Sequence, residues 1–299
     1  MTTMLGMPAV PRQAPAPASR PPLAGLRYIE AETSRYCNRA CTWCPNGHTG
    51  ARREQQLMQW PLFEKITGEL GAAGYAGYLA LHNYNEPLAN PRLHDELAHI
   101  AATVPAARPA IYTNGDLLKA DRMEALLAAG VRYLRVTRYP QRPGTPADEP
   151  PLRRWMGNAG LLHARPWTFG RARQGLAARW EGPGGVLIEV IRPDIATYND
   201  RGGTAQVPAT PAGRADPCRM TATSLSIDYR GIVKMCCNVV PDQAAGHDRY
   251  AVGSAASATL SELWDHPLMS QWRELHAAAD WSQSPACRTC VQALPETRQ

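Results

Sequence analysis

Lysine is nearly missing from this sequence: Lys65, Lys119 and Lys234 are the only three in 299 residues. The net charge of +6 is therefore carried by arginine, and never more than two arginines stand in a row. A nucleic-acid footprint needs cations gathered on one face or one helix. None is visible, so a solvated basic surface is expected and a nucleic-acid partner is not. Long apolar runs are absent too; nothing approaches the roughly 18 residues of a membrane span, so no bilayer crossing is expected. The N-terminal stretch MTTMLGMPAVPRQAPAPASRPPLAG has no continuous apolar core and carries six prolines between Pro8 and Pro22. Residues 1–24 read as a disordered tail rather than an export signal, and the protein reads as cytoplasmic. In a reducing compartment, the eight cysteines are expected as metal ligands or reactive thiols rather than disulfides.

A chain of this length accommodates one large α/β domain and a small appendage. Short apolar runs alternate with helix-period segments. Strands are expected over GLRYIEAE (25–32), GYLALHNY (77–84), PAIYTNG (109–115), VRYLRVT (131–137) and GVLIEVIRP (185–193). Between them, Leu62, Ile66 and Leu70 share one helical face, as do Leu93, Leu97 and Ile100, and then Met123, Leu126 and Leu127. Unbroken apolar strands alternating with helices imply a parallel sheet covered by helices, either a barrel or a doubly wound sheet. The Pro-rich stretch 138–151 is expected as a long loop at the functional end of the fourth strand. Near residue 200 the composition turns to linker, and a cysteine-bearing module follows. It contains a hairpin around Tyr229–Gly231 and the amphipathic segment SATLSELWDHPLMSQWRELHAA.

Cys37, Cys41 and Cys44 lie within ten residues, directly after the first strand. Thiolates are soft ligands that select zinc, copper(I) or iron–sulfur. Zinc sites commonly close with paired ligand elements, and His48 is the one nearby residue that completes such a set. The other reading is a 4Fe–4S cube wrapped on three corners by one loop, with its fourth iron open to a substrate.

C-x3-C-x2-C with an aromatic, Trp43, before the last cysteine resembles the signature of the radical S-adenosylmethionine (radical SAM) enzymes. The motif NYNEPL (83–88) is similar to the family's Gly-Glu-Pro motif, with Asn85 in place of the glycine. YTNG (112–115) resembles the third-strand ending, and Thr137 stands where a fourth-strand hydroxyl approaches the ribose. The resemblance implies a partial (β/α)6 TIM-like barrel over residues 25–212. It implies S-adenosylmethionine on an open 4Fe–4S cluster held by Cys37, Cys41 and Cys44, with Trp43, Asn85, Glu86 and Thr137 as cofactor contacts. Trp43 also fits a plain packing role. An external one-electron donor of flavodoxin or ferredoxin type is implied as partner.

Cys218, Cys236 or Cys237, Cys287 and Cys290 resemble the α+β "twitch" extension of some family members. That implies a second 4Fe–4S cluster, fully protein-ligated, over residues 213–299. Cys218-x17-Cys236 is similar to the arrangement in an aminocyclitol-oxidising family member, so the resemblance implies Cys236 as ligand and leaves Cys237 on the opposite strand face. An S–H bond is weaker than most C–H bonds, so Cys237 is the candidate hydrogen donor to a substrate radical. This matches the family's aminoglycoside epimerases of the neomycin C type, and the resemblance implies inversion of a sugar carbon. If Cys237 is inert, the implied reaction is oxidation of a secondary alcohol on an aminocyclitol or aminoglycoside. A polycationic substrate needs carboxylates, for which Glu30, Glu32, Glu189, Asp228 and Asp242 are the candidates, with two of the five expected to serve.

Overall fold

The computed structural model describes residues 21–49, 55–140, 142, 145–172, 175–195, 198–207, 213–242 and 244–291. The expected disordered tail, through residue 20, lies outside them. Residues 21–24 form a turn in which Leu23 is buried and Ala24 O accepts from Trp264 Nε1 at 3.2 Å. The packed chain therefore begins inside the stretch assigned to the tail.

Among the described residues, ten strands make one open sheet. In chain order they are β1 (Tyr28–Ala31), β2 (Tyr78–Ala80), β3 (Arg108–Thr113), β4 (Tyr133–Thr137) and β5 (Thr168–Ala172). They continue with β6 (Gly175–Gly182), β7 (Val186–Pro193), β8 (Ser224–Ile227), β9 (Ile232–Lys234) and β10 (Ala251–Ser254). Their spatial order is β10-β9-β8-β1-β2-β3-β4-β7-β6-β5. The six central strands, β8 to β7, are mutually parallel, which is the α/β partial barrel expected. The sixth of these is β8, from the C-terminal module, and it flanks β1.

The helices are α1 (Asn46–Thr49), α2 (Trp60–Ala72), α3 (Leu93–Thr103), α4 (Ala120–Ala128), α5 (Glu149–Asn158), α6 (Met220–Thr223), α7 (Leu260–Trp264) and α8 (Pro267–Ala277). α2 begins with Pro61 in its first turn, where the missing N–H costs nothing. It buries Phe63, Ile66 and Leu70, while Leu62 is half-buried near the Gly231 turn. Two elements depart from expectation. The last residues of the Pro-rich stretch open α5, because Pro150 and Pro151 fit a first helical turn. A hairpin arm, β5–β6, pairs antiparallel with the full length of β7.

The central strands are not uniformly apolar. Ile29, Leu79, Leu81, Ile111, Leu134, Val136, Ile188 and Val190 join the helices in one core. Glu30, His82, Tyr112, Arg135 and Thr137 instead line a cavity of about 500 Å³. Side chains alternate across a strand, so the inner face is polar because it holds a ligand-sized, water-accessible space rather than packed side chains.

Candidate active site

The cysteine loop leaves the C-terminal end of β1 and reaches the cavity, where Cys37, Cys41 and Cys44 all form part of the wall. It turns tightly: Cys44 N donates to Cys41 O at 3.1 Å, and Gly47 N to Cys44 O at 3.0 Å. A Cβ on Gly47 would stand 2.2 Å from Cys41 O, so only glycine fits. Asp116 clamps the loop from outside, accepting from Arg39 Nε at 2.6 Å and from Asn38 Nδ2 at 3.2 Å. Two arginines, Arg39 and Arg138, hold the Asp116 carboxyl down at about 2 against the opposing effect of burial. Burial, then the neighbouring Cys44 thiol, pushes the Cys41 thiol up to about 12.

Trp43 is buried and lines the cavity, its ring centroid 5.9 Å from Tyr139, and its Nε1 has no hydrogen-bond partner among the described residues. Asn85 and Glu86 also lie on the wall. Asn85 Oδ1 accepts from Asn83 N at 3.0 Å, and its Nδ2 donates to Ser34 Oγ at 3.2 Å. The Glu86 carboxylate is occupied within the protein. It accepts from Thr113 Oγ1 at 2.6 Å, Asn114 N at 2.7 Å and Leu88 N at 3.0 Å. Glu86 thus ties the end of β2 to the YTNG segment that ends β3, and its own N–H donates to Tyr36 O at 2.8 Å. Thr137 sits at the C-terminal end of β4, half-buried on the cavity wall.

The five candidate carboxylates separate cleanly. Only Glu30 lines the cavity. Glu32 accepts from Tyr84 N at 3.0 Å; Glu189 accepts from Arg179 Nε at 2.6 Å and from Tyr133 OH. Asp228 shapes the β8–β9 turn through Ile232 N at 3.0 Å and Arg230 Nη2 at 2.6 Å, and Asp242 lies off the cavity wall. Two of the five were expected to face the substrate; one of them reaches the cavity. Charged groups at strand ends find partners in turns and neighbouring strands more often than a linear reading reveals.

Glu30 Oε2 accepts from Asn83 Nδ2 at 3.0 Å, and Lys234 Nζ donates to Asn83 Oδ1 at 2.8 Å. Burial pushes the Glu30 carboxyl up to about 7, although Lys234 pulls it the other way. His82 Nε2 is 3.9 Å from Glu30 Oε1 and makes no hydrogen bond among the described residues. Burial, with Arg201 and Arg135 adding to it, depresses His82 to about 3, so the ring is neutral.

The remaining cysteines form a second group. Burial and then Cys287, Cys290 and Cys218 raise the Cys236 thiol; burial, Cys290 and Cys218 push Cys287 up to about 12. These four are one another's neighbours. Cys237 points elsewhere: it lines the cavity, and after burial it is Glu30 that most raises its thiol. All eight cysteines are free of disulfides. Among the described residues no three cysteine, histidine or carboxylate side chains close on a single-ion site, and the His48 side chain is not among those described. Both donor sets are all sulfur, buried or half-buried, and mutually repelling as thiolates. Such sets are stable in the thiolate form only around a cationic core, and sulfur-only donors suit iron–sulfur.

Residues 31–137 match the model of the radical SAM superfamily, and residues 218–291 that of an iron–sulfur cluster-binding domain. The chain thus carries a radical SAM domain followed by an iron–sulfur cluster-binding domain. The two matched segments carry the two sulfur groups, so this radical SAM enzyme uses two 4Fe–4S clusters and S-adenosylmethionine. The chain is similar to the S-adenosyl-L-methionine-dependent 2-deoxy-scyllo-inosamine dehydrogenase of Niallia circulans, at 24% identity over 91% of this chain and 95% of that one. Its fold is similar to that of BtrN in complex with AdoMet and 2-DOIA: TM-score 0.68, 22% identity, 92% of this chain and 96% of that chain. BtrN in an open conformation matches at TM-score 0.59 and 19% identity, over 89% and 92% of the two chains.

The radical SAM cavity includes residues that sequence reading passed over: His82, Asn83, Tyr112, Arg135, Tyr139, Asn199 and Arg201. A signal existed for some. Arg135 interrupts YLRVT at the period expected of an inward position, and His82 ends the apolar run of β2 in the same way. Asn199 and Arg201 had no local signal, since they sit in a stretch whose composition reads as linker.

Proposed function

We propose that this protein is a radical SAM dehydrogenase that oxidises a secondary alcohol of an aminocyclitol or aminoglycoside. The observation that carries the reading is the Glu30–His82 pair on the cavity wall, a buried carboxylate beside a neutral imidazole with an unpartnered nitrogen. The name of the curated relative, an inosamine dehydrogenase, supports the same reaction and substrate class.

Cys37, Cys41 and Cys44 would hold the first cluster, and Cys218, Cys236, Cys287 and Cys290 the second. When bound, S-adenosylmethionine with the first cluster supplies hydrogen-atom abstraction from an unactivated C–H bond, and the second cluster supplies one-electron chemistry. The chain supplies the rest. Oxidation of a secondary alcohol releases one hydrogen as an atom and the other as a proton plus an electron. Glu30 accepts that proton, beside the neutral His82 ring, and in its ionised form it attracts a substrate ammonium group. Trp43 and Tyr139 offer apolar faces for the adenine, and the backbone of Asn85 offers polar groups to the methionine end, in the wall segment that Glu86 anchors. Walls of this kind exclude water and competing hydrogen donors from the reacting carbon. An external one-electron donor of flavodoxin or ferredoxin type starts each turnover.

One observation favours inversion of a carbon as the second reading. Cys237 lines the cavity, and burial together with Glu30 holds its thiol protonated, the state a hydrogen donor requires. The two readings separate in one experiment. Reconstituted protein is incubated anaerobically with reductant, S-adenosylmethionine and an aminocyclitol or aminoglycoside in deuterated water. The dehydrogenase yields a carbonyl product lacking a pair of hydrogens, and Cys237→Ala still makes it. An unchanged formula with deuterium at one inverted carbon, lost in Cys237→Ala, would establish the epimerase instead.

A further inference from the structure

Three side-chain N–H groups converge on one sulfur of the second group. Asn238 Nδ2 lies 3.6 Å from Cys290 Sγ, Asn199 Nδ2 3.7 Å and Arg214 Nη1 3.8 Å. The other sulfurs are served differently: backbone amides of Met220 and Asn238 at Cys218 and Cys236, Ser284 and His276 at Cys287. The donors at Cys290 are held in place. Arg214 Nη2 donates to Pro217 O at 2.9 Å and its Nε to Asp216 O at 2.8 Å. Asn238 Oδ1 accepts from Arg201 Nη1 at 2.9 Å. Asn199, Arg201 and Val291, the residue after Cys290, all line the cavity. Cys290 is therefore joined to the substrate space through two short links, Asn199 directly and Asn238 by way of Arg201.

The geometry points to Cys290 as the corner through which the second cluster exchanges an electron with the cavity, with Asn199, Asn238 and Arg214 as positioning residues that raise that cluster's potential. N–H bonds to a cluster thiolate favour the more negative, reduced state, and charge-assisted bonds do so most. The inference rests on the proposed ligand set and on the oxidation proposed above. In that oxidation, Cys218, Cys236, Cys287 and Cys290 would hold a cluster able to accept the electron that leaves the alcohol, and Glu30 takes the proton.

The test is a redox titration of the full-length, reconstituted protein followed by electron paramagnetic resonance. S-adenosylmethionine perturbs the first cluster and so identifies the second. Asn238→Leu, Asn199→Leu and Arg214→Met are each expected to shift the oxidised-to-reduced ratio of the second cluster at fixed potential about tenfold towards oxidised, ~59 mV for one electron. Asn238→Asp, which keeps the shape and sets a carboxylate against the sulfur, is expected to shift it further the same way. A second cluster that loads fully in these variants with an unchanged midpoint overturns the inference. Wild-type protein in deuterated water gives an independent reading, because amide N–D groups against Cys290 produce deuteron couplings in the reduced cluster. Their absence also overturns it. Wild-type protein that binds iron for one cluster only overturns the ligand assignment beneath it instead.

Discussion

Glu30 is raised by burial and pulled back by the cations Lys234 and Arg201 and by hydrogen bonds with Asn83 and Cys237. With its carboxyl pushed up to about 7, it changes charge near neutral pH. As proton acceptor and cation site it must be ionised, so turnover is expected to rise with pH through about 7. Glu30→Gln is expected to lower the rate by roughly 10²–10⁴ and to flatten that limb, which a pH–rate profile of both proteins would reveal. Stability moves the opposite way. A carboxyl whose folded value exceeds its unfolded value near 4.5 makes the folded state bind extra protons between the two. The cluster-free protein is therefore expected to lose about 3 kcal/mol as pH rises across that window. Glu30→Gln should abolish that loss, as urea midpoints at about pH 5 and about pH 8 would show.

At the scale of elements, two tight turns decide whether the site assembles. Gly47 lets the cysteine loop close on itself, and a Cβ there would collide with Cys41 O. Gly47→Ala is expected to reduce iron at the first site while leaving the second loaded, measured as iron and sulfide per chain. Gly231 has φ +87, and a Cβ on it would stand 2.7 Å from Leu62 Cδ2. Gly231→Ala combines left-handed strain with a steric clash against α2, so a loss of roughly 1–3 kcal/mol is expected from thermal unfolding.

Across the whole molecule the barrel and the C-terminal module share one sheet. β8 pairs with β1 from Tyr28↔Ser224 to Ala31↔Ile227, and Trp264 is fully buried, with its Nε1 donating to Ala24 O. A boundary at residue 212 therefore marks a change of composition rather than a line of separation. Protein ending there exposes the β1 edge and is expected to aggregate, whereas the intact chain is expected to unfold in one calorimetric transition. Trp264→Ala removes a large side chain from the junction and is expected to cost about 3–5 kcal/mol.

Local chemistry determined the cofactor plan. Cysteine spacing within a ten-residue loop, a Pro-containing motif after the second strand and alternating strand and helix periods are short-range features, and each is complete in the sequence. The same holds for the β8–β9 hairpin, whose turn is set by Asp228 and Gly231. Tertiary structure alone decided which polar residues meet. Glu30 and His82 come from β1 and the end of β2, Arg201 and Asn199 from a stretch that reads as linker, and Cys237 from the C-terminal module. Glu32, Glu189 and Asp228 are as acidic as Glu30 but are satisfied by Tyr84, Arg179 and Arg230. Whether a carboxylate serves a ligand or its own fold depends on which partners the sheet order brings within hydrogen-bond reach, and sheet order is a long-range property that no local stretch encodes.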